Sequence, residues 1–184
     1  MAKVFLSSKM KIDRRKQRSQ AKLFEALIQK YQDNVKFDQI EVKEFCEMAN
    51  VSRATFYRHH QDLTDIIEVQ FLIVIADFEQ QMDALKQVNF TNTSSVIITE
   101  IYANLELFKL VKWSAIHEKV QALFSGVVRQ ILILRDYDKP RQQFISEFLG
   151  NAILNFAEQI ASAPKLMPQT EALNLYRRLL PAQL

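Results

Sequence analysis

IEVKEFCEMANVSRATFYRHH, residues 40–60, is the stretch from which the rest of this chain is best read. Val42, Phe45, Cys46 and Ala49 recur at spacings of three and four, which marks one face of a short helix over 41–48. Cys46 and Ala49 are small and let a second helix pack close. Asn50 tolerates the left-handed backbone conformation that a tight inter-helix turn needs. Ser52 stands where an N-cap satisfies the first N–H groups of a second helix, over 52–59. Val51 and Phe56 face back toward Phe45 and complete a miniature core. Arg53, Ala54, Thr55, Tyr57, Arg58 and His59 are left facing outward. A helix with cationic and hydrogen-bonding tips, locked against a small partner helix, has the shape that enters a DNA major groove.

Each outward residue has a chemistry suited to that groove. Arg53 lies one residue inside the helix, where its planar fork matches guanine O6 and N7; such a contact is worth about 1–3 kcal/mol of base discrimination. Ala54 permits close approach and can touch a thymine methyl. Thr55, Tyr57 and His59 suit phosphate oxygens, which fix position without reading sequence. Lys43, on the first helix, reaches either a phosphate or a base edge. The candidate DNA-contacting set is therefore Lys43, Ser52, Arg53, Ala54, Thr55, Tyr57, Arg58 and His59. The plainer alternative, an amphipathic surface helix, leaves the turn chemistry and the miniature core unexplained.

The segment resembles the helix-turn-helix of the TetR/AcrR family of bacterial transcriptional regulators, above all in the pattern AxVSRxTFYRH at 49–59. The likeness extends back over 21–31 and forward through Leu63 and Ile66. It implies an all-α fold, with an N-terminal three-helix bundle holding the motif and a C-terminal helical ligand and dimerisation domain. It also implies DNA contacts at Lys43, Arg53, Thr55, Tyr57 and His59. The chain departs from the family where Asn50 replaces a frequent Gly and where Leu63 replaces a frequent Lys, which removes one phosphate contact.

Charge is distributed to match. Residues 1–60 hold 13 Lys and Arg against 7 Asp and Glu, whereas residues 61–184 hold 11 against 14. The polyanion-facing end is thus the third that contains the motif. Lys9, Lys11, Arg14, Arg15, Lys16 and Arg18 read as a basic arm for phosphates or a minor groove. At 184 residues and 48% hydrophobic content the chain can build a real core. One cysteine excludes an internal disulfide and suits a cytoplasmic location. The most apolar run, 66–78, carries Glu68, Gln70 and Asp77 and is too short to span a bilayer. Asn89 and Asn92 begin glycosylation-like triplets and, without a secretory signal, read as a polar loop. Three histidines, no Gly-rich phosphate loop and no metal-ligand spacing argue against an enzyme, and no cofactor or metal is expected.

Periodicity gives roughly nine helices, near 14–33, 41–48, 52–59, 63–87, 95–111, 114–122, 123–135, 141–162 and 169–180. The expected division is a basic arm and DNA-binding domain over 1–62, then a regulatory and dimerisation domain over 63–184. The last two helices carry apolar stripes that suit a homodimer interface: Phe144, Phe148, Gly150, Ala152, Ile153 and Phe156, then Leu173, Tyr176 and Leu180. Gly150 costs a helix about 1 kcal/mol relative to Ala, explicable if another helix approaches closely there. Between motif and stripes, Phe71, Phe78, Tyr102, Phe108, Trp113, His117 and Phe124 suit a pocket for a small apolar or aromatic effector. The functional expectation is a dimeric regulator, a repressor released from a palindromic operator in double-stranded DNA. The alternative is a TetR-like protein-interaction module, a coactivator or adaptor, with no small-molecule ligand.

Overall fold

The computed structural model describes residues 14–180. In chain order the elements are α1 (Arg14–Gln32), a 3-10 turn at Phe37–Gln39, α2 (Val42–Met48), α3 (Arg53–His59), α4 (Thr64–Ala84), α5 (Phe90–Ala103), α6 (Leu105–Trp113), α7 (His117–Leu134), α8 (Lys139–Ala161) and α9 (Gln169–Leu179). All regular structure among the described residues is helical, as the sequence leads one to expect.

Two glycines in the whole chain suggest few sharp turns, yet sharp helix ends are present. Asn34, Asn50, Ala115 and Asp136 adopt φ of 58°, 49°, 56° and 50°. Each is the left-handed residue of a Schellman cap. The following N–H reaches back five residues: Val35 to Lys30, Val51 to Cys46, Ile116 to Val111 and Tyr137 to Leu132, at 3.0–3.2 Å. Asn and Asp tolerate that region through local hydrogen bonding, but Ala115 has no such help.

Several boundaries differ from the periodicity. The span 95–111 is two helices, because Asn104 leaves the helical region at φ −126°, ψ 28°. The spans 114–122 and 123–135 are one helix, α7, which runs unbroken through Gly126. α5 starts earlier than expected because Asn89 Oδ1 accepts the Asn92 N–H at 2.9 Å, while Asn92 Nδ2 donates to the Gln87 carbonyl. The expected polar loop is therefore a capped helix start. α1 begins at Arg14, so Arg14, Arg15, Lys16 and Arg18 are helical rather than part of an arm; Lys9 and Lys11 lie outside the described residues.

One core runs through the chain. Leu23, Leu27, Phe45 and Phe56 meet Leu63, Ile66, Ile67 and Phe71 of α4, and the cluster continues through Leu107, Leu110 and Val111 to Leu154, Ala157, Ala172 and Tyr176. The hydrophobic interior thus crosses the 62/63 boundary without interruption. α4 enters it beside Asp62, whose carboxylate accepts from the Thr64 N–H at 2.7 Å and the Asp65 N–H at 3.3 Å. Burial pushes the Asp62 carboxyl up, but these hydrogen bonds, with the Thr64 hydroxyl and the Lys119 charge, hold it below its usual value.

A second link joins the end of α1 and the turn after it to the body. Trp113, at the end of α6, donates its Nε1–H to the Val35 carbonyl at 2.9 Å. Its ring meets Tyr31 and Phe37 edge-on at 5.5 and 5.0 Å. α7 and α8 form the most extensively packed helix pair. Their close approach is at Gly150, where an added Cβ would stand 2.5 Å from Ser125 Oγ and 2.6 Å from Ser125 N. No helix among the described residues is long and apolar enough to cross a membrane.

Candidate nucleic-acid interface

The helix-turn-helix is built by the residues that suggested it. Phe45 and Phe56 are fully buried, Cys46 and Ala49 nearly so, and Val51 packs against them. Burial pushes the Cys46 thiol up, partly offset by the neighbouring Arg53 charge, so this sulfur packs as a small hydrophobe. Ser52 Oγ accepts the Thr55 N–H at 3.1 Å and shares a 2.9 Å hydrogen bond with Thr55 Oγ1. The two hydroxyls are therefore engaged with each other at the start of α3. Thr55 and His59 are half-buried along one flank of the helix.

Successive residues on a helix turn by about 100°. That rotation places Arg53, Tyr57, Ala54 and Arg58 side by side, and all four are exposed. Tyr57 is held on its inner side by the buried Phe56 ring, edge-on at 5.0 Å. The Arg53 guanidinium carbon lies over the Tyr57 ring, 6.0 Å from its centroid. The exposed strip thus pairs two arginines with an aromatic ring and a short side chain between them. Lys43 is exposed on α2, in the company of exposed Glu44 and Glu47. That helix adds less positive charge to the face than its lysine alone suggests.

His60 ends the motif as a buried residue against the Phe56 ring at 5.6 Å. Its Nδ1 has no hydrogen-bond partner among the described residues. Burial pushes its pKa down; Asp65 opposes that shift and His59 adds to it.

The expected effector residues do not line one cavity. Phe71 and Phe108 are buried and form an edge-to-face triad with Phe124, centroids 5.4, 5.9 and 6.3 Å apart, so the rings fill one another's space. Tyr102 donates its hydroxyl to the Met167 carbonyl, and His117 Nδ1 meets Glu158 at 3.0 Å. Trp113 faces Tyr31, Val35 and Phe37 instead, and Phe78 is half-buried on α4. Two open concavities occur elsewhere. One, of about 550 Å³, is mixed in character and lies between α4 and α5, lined by Asp77, Gln81, Glu100 and Asn104 together with Ala84 and Ala103. The other, of about 520 Å³, is apolar and lies between α8 and α9, lined by Phe148, Phe156, Ile160, Leu175 and Leu179. The sequence reading missed both, because periodicity shows which face is apolar and not where two faces fail to meet.

The expected dimer stripe divides into two. Phe144 and Phe148 are 74% and 61% exposed and stack on each other at 6.5 Å. Gly150, Tyr176 and Leu180 of the expected dimer face are buried in the single subunit. Gly150 meets Ser125 of the chain's own α7, and burial pushes the Tyr176 phenol well up. Ala152, Ile153, Phe156 and Leu173 are partly buried against the core. Ile133 and Leu134, at the end of α7, are also exposed and were not anticipated.

No family model matches the chain, and no curated protein matches it. Among solved structures it is similar to Lin0861 from Listeria innocua, a crystal structure to 2.8 Å. The identity is 29% with a TM-score of 0.86 over 96% of each chain, a likeness of fold along almost the full length.

Proposed function

We propose that this chain is a sequence-specific DNA-binding regulator of transcription that acts as a homodimer, as its resemblance to the TetR/AcrR family implies. The observation that carries the reading is the exposed strip Arg53–Tyr57–Ala54–Arg58 on a capped helix braced by buried Phe45 and Phe56. α3 enters the major groove, Arg53 reads a guanine edge, and Arg58, Lys43 and His59 meet phosphates. Exposed Phe144 and Phe148, with Ile133 and Leu134, supply the face on which two copies join. Two reading heads related by a two-fold axis take half-sites one helical turn apart, about 34–36 Å, or a multiple of it. Occupying a promoter then represses it. An effector with a coupling of about 1–3 kcal/mol weakens operator affinity roughly 5–150-fold.

The test is selection of bound duplexes from a random DNA pool. A palindrome with fixed half-site spacing is the expected result, and Arg53→Ala should flatten the preference at one position of each half-site. No enrichment would sink the reading. The second reading, a TetR-like adaptor for a protein partner, draws support from the closed Phe71–Phe108–Phe124 triad, which leaves no room for an effector at that place.

A further inference from the structure

We propose that Tyr57 is a positioning residue for base reading, its ring serving as the platform that holds the Arg53 guanidinium in its reading geometry. The inference rests on the DNA-reading function proposed above. It assigns to Tyr57 a role beyond the phosphate contact that its hydroxyl suggests.

The geometry is a relay of three side chains. Phe56 has no exposed surface, so its ring is fixed by the core. Tyr57 packs edge-on against it at 5.0 Å with planes 85° apart, which limits how the phenol ring can turn although 53% of its surface is exposed. Arg53 lies one helical turn earlier on the same face, with its guanidinium carbon 6.0 Å from the Tyr57 centroid. A cation over an aromatic face is attracted by the ring quadrupole, and at about 6 Å that attraction still operates. Arginine otherwise has many rotamers, and ordering one at the moment of binding costs entropy. A ring that already restricts the guanidinium reduces that cost for the one orientation it favours. Neighbours leave the arrangement free to face outward: Ala54 is short, and the Thr55 hydroxyl is tied back to Ser52. Discrimination by Arg53 therefore depends on the ring of Tyr57, and overall affinity depends on its hydroxyl.

The two roles separate in two substitutions of the full-length chain. Tyr57→Phe keeps the ring and removes the hydroxyl; Tyr57→Leu removes both. Affinities are measured for the selected duplex and for duplexes changed at the single base pair where Arg53→Ala loses discrimination. Tyr57→Phe should weaken binding to all duplexes alike and keep the wild-type ratio at that base pair. Tyr57→Leu should lower the ratio there by about two- to five-fold, the range expected for an exposed cation–π contact, and leave ratios elsewhere unchanged. Equal helix content by circular dichroism keeps a folding defect from imitating the result. A wild-type ratio in Tyr57→Leu overturns the proposal, as does an Arg53→Ala variant that binds DNA with unaltered preference. If the wild-type chain enriches no duplex at all, the DNA-reading function itself falls and takes the proposal with it.

Discussion

The two glycines of this chain make opposite predictions when each is replaced by alanine. Both lie inside helices, where alanine is favoured over glycine by about 1 kcal/mol. At Gly126 an added Cβ has nothing within 4 Å, so Gly126→Ala should stabilise the protein by close to that amount. At Gly150 the same methyl group would meet Ser125 Oγ, N and Cα at 2.5, 2.6 and 2.8 Å. A rotamer change moves only the oxygen; the other two atoms are fixed to α7, so the helices themselves must separate. Overpacking of this kind costs about 1–3 kcal/mol, and contact with backbone favours the upper end. Set against the propensity gain, Gly150→Ala should destabilise by about 2 kcal/mol. For a chain of this length each kcal/mol moves Tm by about 2–4 °C. The two variants should therefore melt on opposite sides of the wild type, and urea titrations followed by circular dichroism should give the same order. A Gly150→Ala protein as stable as the wild type would refute the close α7–α8 approach. Repeating both melts at two protein concentrations separates subunit stability from any contribution of dimerisation.

Further outcomes follow from other parts of the fold. Phe148→Asp should leave the subunit folded, since the side chain is mostly exposed, and should convert a dimer to a monomer in light scattering; an intact dimer would move the interface elsewhere. Ala115→Gly relieves a left-handed alanine that costs about 1–2 kcal/mol but adds freedom to the unfolded chain worth about 0.4–1 kcal/mol. A net gain of about 0.5–1 kcal/mol in urea denaturation is expected, and a loss would contradict the φ of 56°. His60 has a folded pKa below its unfolded value, so the unfolded chain binds the extra proton first. Its contribution to stability is complete above the ordinary histidine pKa and declines as pH falls through that value toward the lowered one. Denaturation midpoints should drop between about pH 7.5 and 5.5, less steeply in His60→Gln; equal slopes would remove His60 as the source.

The motif was legible because its signals are local. Asn50 at the turn, Ser52 at the cap and the spacing of Phe45, Cys46 and Phe56 each act within a few residues, and the structure has all of them in those roles. Nearly every helix was visible for the same reason, except where the Asn89 side chain caps α5 early, where the Asn104 backbone divides 95–111, and where α7 runs on through an expected break. The body was less legible. Phe71, Phe108 and Phe124 have the composition of a ligand box, and only their mutual distances reveal that they fill it themselves. Gly150 signalled a close helix approach correctly, but a sequence does not say whether the approaching helix belongs to the same chain. Apolar periodicity likewise marked Phe144, Phe148 and Tyr176 alike, although Tyr176 is buried and the two phenylalanines face outward.

Trp113 is the sole tryptophan of the chain, and it sits on the seam where α6 meets the turn between α1 and α2. The protein therefore carries its own optical gauge of how the connection between α1 and α2 is seated against α6. Emission from that indole responds to loss of the Val35 hydrogen bond or to water reaching the ring. A shift on adding a duplex, a small molecule or a partner protein would identify a ligand that moves the seam, without any label attached. An otherwise silent structural contact becomes a place from which rearrangement of this seam can be watched.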